Sequence, residues 1–193
     1  EKLIGWFKEF DNPNGAIAAL EDLKVRLDFD RPSDTIEQAI CELAQLIGAD
    51  GSRPEKEYGE GPDDLWIWGD DSFVIEAKTG NTVTHHKKDA GQLLLSLQWF
   101  DRSFPTRKKP LAVVVSKVYE AANHAGFPPE TRVLLPEGMD RLIKALQELI
   151  RAMISDAALT ANVRSLAERQ ESFKLLPVHF KPTYTVDLIE RKH

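Results

Sequence analysis

Asp63, Glu76 and Lys78 are the residues of this chain whose types and spacing suit chemistry. They lie in "GPDDLWIWGDDSFVIEAK", where "DLWIW" and "SFVIEAK" read as two strands separated by the turn signal "GDD". Strand side chains alternate between faces, so the loop length decides whether the acids meet. A two-residue Gly69-Asp70 loop pairs Trp68 with Asp71 and puts Asp63 opposite Glu76. A four-residue loop puts Asp63 opposite Lys78 and diagonal to Glu76. Either loop gathers Asp63, Glu76 and Lys78 with Leu65, Ile67 and Val74 on one face. Asp64, Trp66, Trp68, Phe73, Ile75 and Ala77 take the other.

Two carboxylates on that face would stand roughly 5 to 8 Å apart at Cβ and repel by about 3 kcal/mol at an effective dielectric near 20. A positive charge is expected between them. Lys78 can supply it as a counter-ion in a closed salt-bridge cluster. A divalent cation is the other expectation, because Mg²⁺ takes carboxylate oxygens and keeps several waters.

The elements around the hairpin follow from periodicity and end signals. Helices are predicted over about Asn14 to Leu27, and over a segment entered by "DRPSD" with Ile36, Ile40, Leu43 and Ile47 on one side, ending at Gly48. "RPEKEYGEG" reads as a short exposed strand or loop. A helix from about His86 to Phe104 is followed by the buried strands "PLAVVVS" and "TRVLL". Two more helices, about Glu137 to Ile154 and Thr160 to Phe173, close the pattern, and the tail from Lys174 carries no clear signal. The order predicts an α/β protein: an αβββαβ core with a mixed central sheet flanked by helices, and extra helices at both ends. In domain terms this is one unit over 1–193, with an N-terminal helical extension at 1–32, the core at 33–136, and C-terminal helices and tail at 137–193.

At 193 residues and 42% hydrophobic the chain can bury a sizeable core. One cysteine, Cys41, excludes an internal disulfide and a CxxC metal site, and no apolar run reaches membrane-spanning length, so a cytoplasmic protein is expected with no membrane partner. The first residue is Glu1, which suggests a piece of a longer polypeptide. A net charge of −6 argues against indiscriminate coating of nucleic acid. Locally, however, Lys87, Lys88, Arg102, Arg107, Lys108 and Lys109 outnumber Asp89 and Asp101, just after an acidic stretch. His85 and His86 read as exposed residues at a helix start.

Pro62-Asp63, followed thirteen residues after that Asp by Glu76-Ala77-Lys78, resembles the signature of the PD-(D/E)xK, or restriction endonuclease-like, nuclease superfamily. The order of helix, strands, helix and strand around it is that superfamily's core. The combination of "GPDDLW", "VIEAK" and "KKDAGQLLLSLQWF" is similar to nuclease domains of bacterial helicase-associated and phage-defence proteins. The resemblance covers about Asp34 to Leu135. It implies a Mg²⁺-dependent endodeoxyribonuclease, with Mn²⁺ as a substitute ion, DNA as partner, and a helicase or ATPase domain in the same chain or complex. Oligomers are compatible with it.

The same resemblance implies roles for individual residues. Asp63, Glu76 and the Ala77 carbonyl would hold the metal, and Lys78 would orient the attacking water. Glu37 of "TIEQAICELAQLIG" fits a glutamate that joins such metal sites. It also reads as the second member of a capping box opened by Asp34. Gln92 fits a glutamine facing the site from the following helix, and with Lys87 and Lys88 it would contact the DNA backbone. Asp64 offers a second acid beside Asp63. The alternative from another class is a nucleic-acid-binding or scaffolding module with this fold and no turnover.

Overall fold

The computed structural model describes residues 1–191. Its central feature is a mixed six-stranded sheet in the order β1-β2-β3-β4-β6-β7. The strands are β1 (Asp50–Ser52), β2 (Asp64–Trp68), β3 (Asp71–Lys78), β4 (Leu111–Ser116), β6 (Arg132–Leu134) and β7 (Val186–Asp187). Two-residue strands β5 (Glu120–Ala121) and β8 (Ile189–Glu190) pair with each other apart from it. The first three strands are antiparallel, β3, β4 and β6 run parallel, and β7 returns antiparallel to β6. The expected α/β class and mixed sheet are therefore present.

Helices cover both faces. On one side α1 (Lys2–Lys8), α2 (Pro13–Arg26), α3 (Ser33–Ile47), α6 (Pro136–Ser155), α8 (Val163–Ser172) and α9 (Pro177–Tyr184) bury Trp66, Trp68, Phe73, Ile75, Val113 and Val115. On the other, α5 (Lys87–Ser103) lays Leu93 and Phe100 over Leu65, Val74, Ala112 and Val114. Burial on both faces is why β4 reads as an unbroken apolar run. It also explains the strict alternation along β2 and β3, whose odd and even residues serve two different cores.

Three sequence expectations need correction. "RPEKEYGEG" is not a strand: Pro54 at the first helical position, with Glu55 and Glu57 in the first turn, starts the short helix α4 (Pro54–Tyr58), which Gly59 ends at φ +76°. The edge strand is instead Asp50–Ser52, packed so closely on α3 that a Cβ at Gly51 would lie 2.3 Å from the Cys41 carbonyl oxygen. The helix expected over Thr160 to Phe173 is interrupted at Asn162, whose side chain accepts from the backbone N–H of Arg164 at 2.9 Å and starts α8 anew after the one-turn α7 (Ala158–Ala161). The tail is ordered into α9 and β7. Its anchor is Arg132, which donates to the Thr185 hydroxyl at 3.0 Å and carbonyl at 2.9 Å and pairs with Asp187.

Candidate active site

The hairpin closes on the two-residue loop. Trp68 pairs with Asp71, and the ladder runs to Asp64 opposite Ile75, so Asp63 stands at the next step, against Glu76. There the Asp63 carboxylate takes over the ladder: its Oδ2 accepts from the Ala77 N–H at 2.8 Å. Asp64 points the other way and is fully buried. The acid on the Glu76 face is thus Asp63.

Glu76 is 3% exposed and Asp63 9%, so both carboxylates sit at the floor of the site. Lys78 reaches between them, with its ammonium 2.9 Å from Glu76 Oε2 and 3.6 Å from Asp63 Oδ2. Oε1 of Glu76 accepts from the Ser96 hydroxyl of α5 at 2.6 Å, which fixes the carboxylate plane. Burial, and then the neighbouring Asp63 charge, push the Glu76 carboxyl above its ordinary range against the pull of Lys78 and Ser96. For Lys78, burial works against the charged form, yet the charges of Glu76 and Asp63 outweigh it and raise the ammonium above its usual value. Beside two carboxylates free of metal, Lys78 is thus a cation and a hydrogen-bond donor.

Two contributors were not assigned a role from sequence. Ser96 shares the α5 face with Gln92, but a serine on a helix face carries no signal of a buried carboxylate partner. Glu55 stands on α4, the segment read as strand or loop. Although the residue is exposed, its carboxyl is pushed up to about 7, chiefly by the neighbouring Asp63 carboxylate. The Pro54-Glu55 helix start was the available clue.

The resemblance adds Glu37 to the metal site, and in this structure its carboxylate is engaged by Arg53. Arg53, itself nearly buried, pairs with Glu37 and Asp34 and donates to Gln38 at 3.3 Å. The capping box fails as well, because α3 begins at Ser33 and places Asp34 inside the helix, bonded to Arg53 and Lys56. Gln92 is exposed and lines a cleft of about 370 Å³ beside Glu76 and Ser96, between α5 and the loop after α4. Lys87 and Lys88 stand exposed on the first turn of α5, where Asp89 accepts from the His86 N–H at 2.8 Å. Arg107 leaves the basic group: its guanidinium clamps the hairpin turn through the Ser72 hydroxyl at 3.0 Å and the Gly69 carbonyl. His85 is buried, not exposed, and its Nε2 bonds the Val118 carbonyl at 3.0 Å, tying the segment after β3 to the segment before β5.

The donors present suit a hard dication. Asp63 and Glu76 place two carboxylates around one ammonium, and Glu55 stands near Asp63. Among the described residues no three side chains of His, Cys, Asp or Glu converge on one metal-sized point. Two carboxylates with a backbone carbonyl is nevertheless a sufficient protein share for Mg²⁺, which usually keeps waters and takes substrate phosphate oxygens. Compared with models of known protein families the chain matches none, and no curated protein matches it significantly. Among the described residues no helix is long and apolar enough to cross a membrane.

Proposed function

We propose that this chain is a Mg²⁺-dependent nuclease that hydrolyses phosphodiester bonds of DNA, of the PD-(D/E)xK type. The observation that carries the reading is Lys78 standing between the Asp63 and Glu76 carboxylates on one sheet face, with Glu76 lining a cleft.

Asp63 and Glu76 would hold the ion, with the Ala77 carbonyl beside them. When bound, Mg²⁺ supplies Lewis-acid stabilisation of charge on the phosphate and makes a water more acidic. Lys78 donates a hydrogen bond to the incoming water and offsets negative charge as it builds on phosphorus. Ser96 holds Glu76 in its productive plane. Lys87 and Lys88, at the exposed start of α5, contact backbone phosphates without reading sequence. The proposed setting is cytoplasmic, beside a helicase or ATPase unit, with phage defence as the biological context.

Incubation of supercoiled plasmid and of single-stranded DNA with the protein, in Mg²⁺ or EDTA, tests this directly. Cleavage is expected in Mg²⁺ or Mn²⁺, lost in EDTA and lost in Lys78→Ala. Cleavage indifferent to both would overturn the mechanism, and binding without cleavage would leave a nucleic-acid-binding module.

A further inference from the structure

The cleft beside Glu76 has walls that a phosphodiester does not explain. Its polar rim carries Glu55 and Glu60 above the buried Glu76, against one cation among the lining residues, Arg102, which stands 3.7 Å from Glu60. A rim of that sign repels phosphate. Its apolar wall is the half-buried Trp99 together with Leu95, which is 66% exposed. Phe104 backs the indole edge-on at 6.1 Å.

Gly61 shapes this wall. It lies two residues before Asp63 with φ +100°, and a Cβ there would come 2.9 Å from Trp99 Cδ2 and 3.1 Å from Cε2. Any other residue would set a methyl group on the fused bond of the indole. The glycine lets its backbone close directly on the fused bond, which holds the indole in place as the cleft wall, next to the proposed catalytic acids.

We propose that the cleft receives one unpaired nucleobase adjacent to the scissile phosphate, so that the substrate is single-stranded at the cut. This rests on the nuclease reading of the same site. The occupant is uncharged, because the rim is acidic. It is planar and stacks, because the wall is an indole with an exposed leucine. It bears an amine, because carboxylates accept hydrogen bonds, which favours cytosine and adenine over thymine. The cleft of about 370 Å³ has room for a base, and a base laid on the Trp99 ring must first leave its own stack, which a base held in a duplex does not do. Gln92 and Gln98, also on the lining, supply neutral donors and acceptors for the remaining base edge.

The test is equilibrium binding of fluorescein-labelled strands of equal length, with Ca²⁺ in place of Mg²⁺. The probes are oligodeoxycytidylate, oligodeoxythymidylate, a strand of abasic residues and a mixed-sequence duplex. Oligodeoxycytidylate should bind roughly 10-fold tighter than the abasic strand. Thymidylate should fall between them, and duplex should bind no better than the abasic strand. Trp99→Leu, which keeps an apolar side chain, should bring the cytidylate strand to the abasic level while leaving the abasic strand unchanged. Leu95→Gln, a surface change that cannot unfold the chain, should move affinity the same way.

Equal affinity for base-bearing and abasic strands overturns the proposal. So do variants that weaken both strands alike or neither, and so does a duplex bound as tightly as the cytidylate strand. These outcomes separate from the nuclease reading. Base-dependent binding without Mg²⁺-dependent cleavage keeps the base site and removes the catalysis, whereas cleavage with no dependence on bases does the reverse.

Discussion

The Lys78 ammonium donates to Glu76 Oε2 at 2.9 Å, a charged pair between a buried carboxylate and a partly buried lysine. In the metal-free protein this bond offsets repulsion between Glu76 and Asp63. Removing it should therefore have two separable effects. Lys78→Ala should lower the cleavage rate by about 10²- to 10³-fold, the usual loss for one donor aimed at developing charge. It should also lower stability in EDTA, and Mg²⁺ should restore more stability to this variant than to the wild type. Parallel cleavage assays and thermal melts, each with and without Mg²⁺, would check both. A variant melting like the wild type in EDTA would show that the carboxylates do not depend on the lysine.

Metal binding itself should be visible in melting temperature. At Mg²⁺ concentrations 10 to 100 times its Kd, a ligand of the native state adds about 1.4 to 2.7 kcal/mol. For a chain of this size that corresponds to roughly 3 to 10 °C. Asp63→Asn and Glu76→Gln should abolish the shift. Glu37→Gln should keep it, because Arg53 holds that carboxylate in a separate ion pair. Loss of the shift in Glu37→Gln would return that residue to the metal site.

The hairpin was legible because its chemistry is local. Gly69 at φ +63° makes the two-residue loop, and from that loop the alternation rule alone carries Asp63, Glu76 and Lys78 to one face. The pairing of Glu37 with Arg53 was not legible because Arg53 is sixteen residues away and sits in a segment whose secondary structure was misread. The same misreading hid Glu55. Helix α4 is only five residues long, too short for periodicity to report, and its start signal competes with the glycines that follow. His85 was misjudged for another reason: its burial comes from β5 and Phe127, elements that no local pattern joins to it.

Asp64 gives a pH-dependent prediction. It is 0% exposed, and among the described residues neither of its carboxylate oxygens has a hydrogen-bond partner. Burial therefore raises its pKa well above 3.8, against the opposing charge of Arg53. A raised pKa means that the native state holds a proton which the unfolded chain releases. The stability this contributes is complete below pH 3.8 and is lost as pH rises through the folded value. Asp64→Asn has no proton to lose. Its stability relative to wild type should increase from pH 4.5 to pH 8, by about 1 to 3 kcal/mol, the range for one unsatisfied buried group. Urea unfolding at several pH values would read this, and parallel pH profiles for the two proteins would refute it.

Lys87, Lys88 and Arg107 are alike in sequence and should differ in effect. Arg107 donates to the Ser72 hydroxyl at 3.0 Å and to the carbonyls of Gly69 and Asp71, so it closes the hairpin whose far end carries Asp63 and Glu76. Lys87 and Lys88 stand on α5, open to solvent. Arg107→Ala should cost about 1 to 2 kcal/mol of stability, since it strands several polar groups at the turn. It should leave the salt dependence of DNA binding unchanged. The double change Lys87→Ala and Lys88→Ala should leave stability within about 0.5 kcal/mol. It should weaken DNA binding at low salt and flatten the plot of log K against log salt by about 0.7 for each single-strand phosphate that is no longer neutralised. Fluorescence anisotropy titrations at several salt concentrations, paired with urea melts, assign each residue. An unchanged slope in the double variant would mean that other cations neutralise the phosphates, with exposed Lys108 and Lys109 the next to replace.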